Sequence, residues 1–335
     1  MDLSCIDVNL SIDNPQVCVK VPELKEGKVV KSSNVVYVAQ AGKFCIVYKF
    51  QLKDGSYRAV RVWLKDLNSI KEILEDVSIV SKELRQLNSS YFVKYEYYEN
   101  SILIKNQWRP LVVMEWCEGE DLKQYISTHI NHPEDIKSLA DKFLQMVMFF
   151  HEKGISHGDL QHKNIQITPQ RNIVVVDYDS LCVPSNVGRR EIIKGVSCFQ
   201  HPIARENNKC LSPCTDYYSE LVIYLSLILI YHHPEIWTKE ISLNDNILLF
   251  TDDDINNINS NDSIFQKYRN ETASDINMMI MTLQRWRNFE VDLAKLEPLE
   301  KVLDPWGCSG GHGGPVRGNQ SKEEKSIQDI VGEMI

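Results

Sequence analysis

The chain has 335 residues, of which 43% are hydrophobic and 25% charged, values typical of a folded protein with room for one large domain or two lobes. Its net charge of -9 argues against a nucleic-acid-binding surface as the main function. Residues 1–14 lack the pattern of a secretory signal, and the most apolar run, residues 221–231, is too short to cross a bilayer. With nine cysteines and no such signal, we expect reduced thiols in a cytoplasmic protein without membrane partners.

The first part of the chain predicts a small β-rich unit. Residues 1–33 show no clear period and form an N-terminal extension. Alternating apolar residues then predict strands, and an Asp54-Gly55 pair predicts a hairpin turn between two of them. The predicted strands cover residues 35–38, 44–48, 57–63, 92–98, 101–105 and 111–114. Residues 68–87 predict one main helix, because apolar residues recur there near a period of 3.6.

From residue 121 onward the pattern changes to helix. Helices are predicted over residues 122–129, 136–152, 216–231, 271–286 and 296–302. Residues 244–262 are rich in Asn and Asp and predict an exposed loop or a frayed helix. A Gly-rich linker, residues 304–320, precedes a C-terminal tail, residues 321–335, which is a candidate amphipathic helix for docking a partner. The predicted class is α+β, with a smaller β-rich lobe over residues 34–116 and a larger, mainly helical lobe over residues 117–303.

Two short motifs mark the region that carries chemistry. Residues 157–164 read HGDLQHKN and place Asp159 five positions before Asn164, and the apolar strand 173–176 leads into Asp177. Taken singly, these could be turn residues and a polar strand end. Their joint occurrence in this order resembles the protein-kinase-like superfamily over about residues 34–300. The resemblance implies a bilobal protein-kinase-like fold.

The resemblance also implies an ATP- and magnesium-dependent phosphotransferase. Asp159 would accept the proton of the acceptor hydroxyl or orient it. Asn164 and Asp177 would coordinate magnesium, which favours hard carboxylate and amide oxygens. A buried Asp216 would brace the loop that carries Asp159, although a plain helix cap is the alternative.

Further positions would hold the nucleotide if the resemblance applies. Gly42 would lie in the loop that covers the nucleotide, Val47 and Ala59 on the strands beside it, and Arg61 on its phosphates. In the segment that joins the lobes, the backbone would hydrogen-bond adenine, and Asp121 would contact the ribose or only cap the next helix. That segment is Met114-Glu115-Trp116-Cys117, and its candidate binding residues are Met114, Glu115 and Cys117.

The nucleotide-binding part departs from the family pattern. Only Gly42 remains of three loop glycines, so a close approach of the backbone to the phosphates is harder. Arg61 stands where the family has Lys, and the helix position expected to pair with it holds Val80. Glu75 or Glu83 would have to replace that partner. Otherwise Arg61 stays unpaired until nucleotide binds.

The catalytic motifs depart from the family as well. Gly158 stands where many regulated kinases have Arg, so control by a phosphorylated activation loop is not expected. Asp179 replaces the Gly of the family's Asp-Phe-Gly motif and is a candidate additional ligand. The HGDLQHxN and DYD motifs, with Gln200-His201-Pro202, resemble a bacterial branch of eukaryotic-like Ser/Thr kinase proteins.

Three functions follow from these features. The first is an atypical Ser/Thr protein kinase with autophosphorylation as an expected activity and an unidentified protein substrate. The second is a pseudokinase that binds nucleotide or acts as a scaffold, because the loop and Arg61 depart from the pattern. The third is a small-molecule kinase, because Gly158 also occurs in such enzymes.

Overall fold

A computed structural model of the chain describes residues 2–33, 36–42, 44–192, 195–201, 210–261, 263–269, 274–287 and 295–304. They belong to two compact units, one of residues 1–119 and 168–179 and one of residues 120–167 and 180–335. Val35, Pro202, the start of the helix predicted from residue 271, the linker beyond residue 304 and the C-terminal tail lie outside the described residues.

The helices and strands are, in chain order, α1 (Cys5–Ile12), α2 (Pro15–Cys18), α3 (Pro22–Lys25), β1 (Lys28–Val29), β2 (Ala39–Ala41), β3 (Cys45–Gln51), β4 (Tyr57–Trp63), α4 (Lys71–Leu87), β5 (Tyr95–Ile104), β6 (Gln107–Glu115), β7 (Glu120–Asp121), α5 (Leu122–His129), α6 (Pro133–Lys153), β8 (Ile165–Ile167), β9 (Ile173–Val175), α7 (Tyr217–His232), α8 (Lys239–Leu243), α9 (Asp252–Asn256), α10 (Ile264–Arg269), α11 (Ser274–Arg287) and α12 (Leu299–Leu303). The predicted α+β class, with a β-rich first part and a helical second part, is confirmed.

An antiparallel sheet in the order β1-β3-β4-β6-β5 forms the first unit, and β2 also pairs with β3. The predicted hairpin is confirmed, since Gly55 takes a left-handed φ of 87° between β3 and β4. Two predictions are wrong. The strand expected over residues 35–38 is β2, which begins at Ala39, and the strands expected over residues 92–98 and 101–105 are the single strand β5. A register shift between Tyr98 and Ile102 interrupts the alternation of β5 and gives the sequence the pattern of two strands.

Residues 5–25, which show no period in the sequence, form three short helices that cover one face of the sheet. Val8, Ile12 and Leu24 are fully buried in the same core as strand residues of β3 and β4. Polar contacts add to this packing, because the hydroxyl of Tyr48 donates to Asn9 at 2.6 Å and that of Ser11 donates to the Leu103 carbonyl at 2.7 Å. The extension is therefore part of the hydrophobic core of the first unit.

The second face of the sheet carries the side chains that alternate with this core. Residues 46, 48, 50, 60 and 62 belong to the core beneath the N-terminal helices. Because successive strand residues point to opposite faces, Val47, Ala59 and Arg61 point to the other face. Val47 is paired with Arg61 in the register of β3 and β4. Helix α4 is fastened to β5 through Ser81, whose hydroxyl donates to the Tyr95 carbonyl at 3.2 Å and accepts from the Tyr97 amide at 3.0 Å.

The second unit is built around α7, which is apolar on all sides and almost wholly buried. His151 of α6 contacts Glu220 of α7 at 3.0 Å and Glu300 of α12 at 2.8 Å. Burial disfavours the charged imidazole, but hydrogen bonds to the two carboxylates outweigh it and raise the pKa of His151 to about 10. A charged histidine thus joins three helices.

Part of the segment expected to be exposed is buried. Residues 247–250 are buried, and α9 follows them with a capping box between Thr251 and Asp254. The Nζ of Lys123 donates to the carbonyls of Asn244 and Ile247, both at 2.6 Å. This buried lysine thus provides hydrogen bonds to backbone carbonyl oxygens that would otherwise be buried without a donor.

Candidate active site

The loop after α6 presents Asp159 with its carboxylate held by side-chain amides. Gln161 donates from Nε2 to Oδ2 at 2.9 Å, and Asn164 donates from Nδ2 to the same oxygen at 3.3 Å. Asn164 also donates to the backbone carbonyl of Asp159 at 2.8 Å. The structure thus brings together Asp159 and Asn164, two of the predicted site residues.

Asp216 braces this loop from beneath. It is 2% exposed and accepts the backbone N–H groups of His157 and Gly158, the latter at 3.0 Å. Burial raises the pKa of Asp216 to about 7, although the neighbouring His157 and these hydrogen bonds act to lower this pKa. The side chain makes no cap bond to α7, so the predicted brace is confirmed and the plain helix cap is excluded.

Gly158 has a steric reason to be glycine. Its φ is 79°, in the left-handed region that side chains disfavour, and an added Cβ would lie 2.7 Å from the Cβ of Ser180. An arginine could be placed here only if Ser180 or the loop backbone moved. The local backbone thus accounts for the absence of the arginine that many regulated kinases have.

A later segment of the second unit covers the remaining oxygen of Asp159. The backbone N–H of Val196 donates to Oδ1 at 3.1 Å, and an added Cβ at Gly195 would lie 2.6 Å from the same oxygen. Gln200 donates from Nε2 to the Gly158 carbonyl at 3.2 Å. Burial raises the pKa of Asp159, although the neighbouring His157 and these hydrogen bonds act to lower this pKa. The carboxylate is therefore enclosed and accepts hydrogen bonds from Gln161, Asn164 and Val196.

The first unit carries Asp177 and Arg61. Asp177 has a φ of 68°, and its side chain is 56% exposed. Arg61 is buried, and its two terminal nitrogens donate to the two carboxylate oxygens of Asp179. The expectation that Glu75 or Glu83 would pair with Arg61, or that Arg61 would wait unpaired for nucleotide, is therefore wrong. Burial disfavours the cation, but Asp179 outweighs it and raises the pKa of Arg61.

Tyr178 fixes the turn between these two aspartates. Its hydroxyl accepts from the Val93 amide at 2.9 Å and donates to the Val175 carbonyl at 2.7 Å. The ring packs edge-on against those of Phe92 and Tyr95. A phenylalanine at this position could not make either hydrogen bond. The tyrosine thus binds the DYD motif to two neighbouring segments of the same unit.

The predicted nucleotide-binding residues of the sheet lie in different environments. Gly42 is exposed, and its N–H donates to the Cys45 carbonyl at 2.8 Å. An added Cβ there would make only ordinary contacts with Cys45, so the structure does not require glycine at this position. Ala59 is buried in β4 and Val47 is half-buried in β3.

The end of β6 and the residues that follow it include the positions predicted to bind adenine. Met114 is half-buried and pairs with Ala59, while Glu115 is exposed. Among the described residues, the N–H of Cys117 makes no hydrogen bond, so it can donate to a ligand. Asp121 accepts the Gln124 N–H at 2.9 Å and caps α5, which is the alternative that the sequence left open.

Each of the two units contains one of the oxygen donors that the family resemblance assigns to magnesium. The amide nitrogen of Asn164 donates its hydrogen bonds to Asp159, and among the described residues the side-chain carbonyl oxygen of Asn164 has no hydrogen-bond partner. Asp177 offers an exposed carboxylate. These are hard oxygen donors, and magnesium completes its shell with water and phosphate oxygens. The described residues contain no cluster of three or more His, Cys, Asp or Glu side chains suited to a metal.

A β-rich unit with a buried cation and a DYD turn, followed along the chain by a helical unit with a braced Asp–Asn loop, is the order of features typical of the protein-kinase fold. A family model described as "Protein kinase domain" matches residues 40–284. The chain therefore belongs to the protein kinase domain family.

Individual relatives are distant. The chain is 22% identical over 179 residues to CBL-interacting serine/threonine-protein kinase 21 of Arabidopsis thaliana, covering 53% of this chain and 42% of the relative. It is 23% identical over 194 residues to Serine/threonine-protein kinase cds1 of Schizosaccharomyces pombe, covering 55% of this chain and 39% of the relative. It is also 23% identical over 170 residues to Serine/threonine-protein kinase ULK3 of Homo sapiens, covering 48% of this chain and 34% of the relative. The chain spans less than half the length of these relatives. Within the part of the chain that is described, no helix is both long and apolar enough to span a membrane.

Proposed function

We propose that this protein kinase domain is an ATP- and magnesium-dependent phosphotransferase that acts on Ser or Thr hydroxyls of proteins, including its own. The observation that carries this proposal is the geometry at Asp159. Two side-chain amides orient its carboxylate at 2.9 and 3.3 Å, and Asp216 holds the loop beneath it. An enclosed carboxylate with a raised pKa is suited to receive the proton of an acceptor hydroxyl.

The other residues have separate tasks in this proposal. The carbonyl oxygen of Asn164 and the carboxylate of Asp177 hold magnesium, which when bound offsets the negative charge of the phosphates. The backbone at Cys117 donates to the adenine, beside Met114 and Glu115. Asp121 lies at the start of α5, where one carboxylate oxygen caps the helix and the other can accept from a ribose hydroxyl.

The subgroup and setting of the protein are further proposals. The HGDLQHKN and DYD motifs support membership of a bacterial branch of Ser/Thr kinase-like proteins, whereas the relatives named above are eukaryotic. We infer a cytoplasmic setting from the cysteine content and a partner-docking role for residues 321–335 from their amphipathic pattern. The proposed substrate is any protein that presents a Ser or Thr hydroxyl to Asp159.

A nucleotide-binding module without phosphate transfer is the second candidate. Two observations favour it. The two terminal nitrogens of Arg61, which form the fork of its guanidinium, both donate to Asp179. One carboxylate oxygen of Asp159 accepts a hydrogen bond from the Val196 N–H. Both contacts use groups that would otherwise contact phosphate or the acceptor hydroxyl.

Transfer from γ-labelled ATP to a mixed protein substrate separates the two candidates. We expect labelling by the wild-type chain and a loss of at least about a hundredfold in Asp159→Asn, because positioned acid–base groups contribute factors of this size. Asp253→Asn is the matched control, because Asp253 is an exposed aspartate on α9. An Asp159→Asn variant as active as the wild type would contradict the proposal. ATP binding without labelling by any variant would support the nucleotide-binding module.

A further inference from the structure

Arg61 is nearly enclosed, and its guanidinium is committed to one carboxylate. The residue is 4% exposed, and both terminal nitrogens donate to Asp179. Its Nε is buried without a hydrogen-bond partner. A bidentate arginine–carboxylate pair fixes the plane of the guanidinium as well as its position. The guanidinium nitrogens that could bind a phosphate are therefore already bonded to a carboxylate of the protein itself.

Asp177 faces the same cation from farther away. Its Oδ1 lies 4.0 Å from Nη1 of Arg61, and its side chain is 56% exposed, whereas the side chain of Asp179 is 15% exposed. A ligand can reach the first carboxylate far more easily than the second. The cation also offsets the repulsion between two carboxylates that are two residues apart.

The turn that connects the two carboxylates is held at its centre by Tyr178. Both hydrogen bonds of the Tyr178 hydroxyl are made within the first unit, to Val93 and Val175. Arg61 then fixes the end of the turn through Asp179. Two independent attachments leave the backbone at Asp177 little freedom, in keeping with its left-handed φ.

We propose that Arg61 and Asp179 form a positioning pair that holds the carboxylate of Asp177 for a divalent metal ion, and that Arg61 is not a ligand of the nucleotide phosphates. The inference rests on the proposed function, because it takes a metal–nucleotide complex as the ligand. Among the described residues, the ion pairs of Arg61 are with Asp179 and Asp177, both outside α4. Assembly of this part of the site therefore does not depend on a carboxylate from α4.

The magnesium dependence of ATP binding tests the pair without requiring turnover. ATP affinity is measured by calorimetry in EDTA and then at rising MgCl₂ for the full chain and for Asp179→Asn. We expect the wild type and Asp179→Asn to bind ATP with equal affinity in EDTA. The variant should need about ten times more magnesium to reach half of the magnesium-dependent increase in ATP affinity, because partners that orient metal ligands typically have effects of this size. Glu83→Gln on α4 is the control and should match the wild type in both conditions.

A second variant decides the question if Asp179→Asn fails to fold. Arg61→Lys keeps the charge but loses the fork, so its magnesium requirement should rise while its affinity in EDTA stays at the wild-type value. If Arg61 were a phosphate ligand, Arg61→Lys would bind ATP more weakly in EDTA, and that result overturns the inference.

The failure of this inference can be distinguished from the failure of the proposed function. A wild-type chain that binds no ATP at any magnesium concentration refutes both. A wild-type chain with magnesium-dependent ATP binding, together with unchanged magnesium titrations of Asp179→Asn and Arg61→Lys, refutes the positioning pair alone.

Discussion

Replacing one buried residue of α1 tests whether the N-terminal helices belong to the folded first unit. Ile12 is completely buried in the core shared with the sheet, whereas Leu10 on the same helix is 68% exposed. Replacing a buried Ile with Ala typically lowers the free energy of unfolding by about 2–5 kcal/mol. Because the side chain of Ile12 is completely buried, we expect a decrease of about 3 kcal/mol for Ile12→Ala. Leu10→Ala should cost less than about 0.5 kcal/mol, as exposed substitutions usually do.

Hydrogen exchange is the suitable assay, because it reports opening of the first unit without requiring the whole chain to unfold in one step. An effect of about 3 kcal/mol corresponds to roughly a hundredfold faster exchange of the protected amides in β3 and β4. Peptides from α7 in the second unit serve as the internal reference. Equal exchange of β3 and β4 in Ile12→Ala and Leu10→Ala would show that α1 does not pack on the sheet and would refute the reasoning.

Three further substitutions test the site and its supports. Asp216→Asn places an amide donor against a backbone N–H, so we expect the free energy of unfolding to fall by about 2 kcal/mol. Because Asp216 holds the loop that carries Asp159, phosphate transfer should also drop clearly. Wild-type values of both quantities would contradict the brace. Tyr178→Phe removes the buried acceptor of the Val93 N–H and should cost about 1–3 kcal/mol, seen as faster exchange of that amide. His151 has a pKa raised from 6.5 to about 10, so its stabilisation is complete below pH 6.5 and is lost as the pH rises towards 10. The difference in unfolding free energy between the wild type and His151→Gln should shrink over that range, and a constant difference would contradict a charged histidine.

Local patterns predict much of this fold, because the signals lie within a few residues. The helix expected over residues 122–129 is α5 with the same limits, since an acidic cap and an apolar face define it. The Asp216 brace was also anticipated, but only through the family resemblance. Nothing local distinguishes that aspartate from a helix cap.

Other features depend on contacts that the sequence does not show. Helices α2 and α3 have four residues each, too few to display a period, and their burial becomes visible only against the sheet. The pairing of Arg61 with Asp179 joins positions 118 residues apart, whereas the family resemblance predicts a glutamate on α4 as the partner. The HGDLQHKN and DYD motifs therefore identify the candidate site residues, and the structure is needed to find the hydrogen-bond and ion-pair partners of each.

Mass spectrometry of the purified chain after incubation with ATP and magnesium tests the central proposal most directly. One sample then reports both the conversion of ATP to ADP and the attachment of phosphate to the chain's own Ser or Thr residues. We predict both products in the wild type and neither in Asp177→Asn, because that variant lacks the exposed carboxylate proposed to hold magnesium. Wild-type chain that binds ATP but yields neither ADP nor phosphorylated protein would contradict a phosphotransferase.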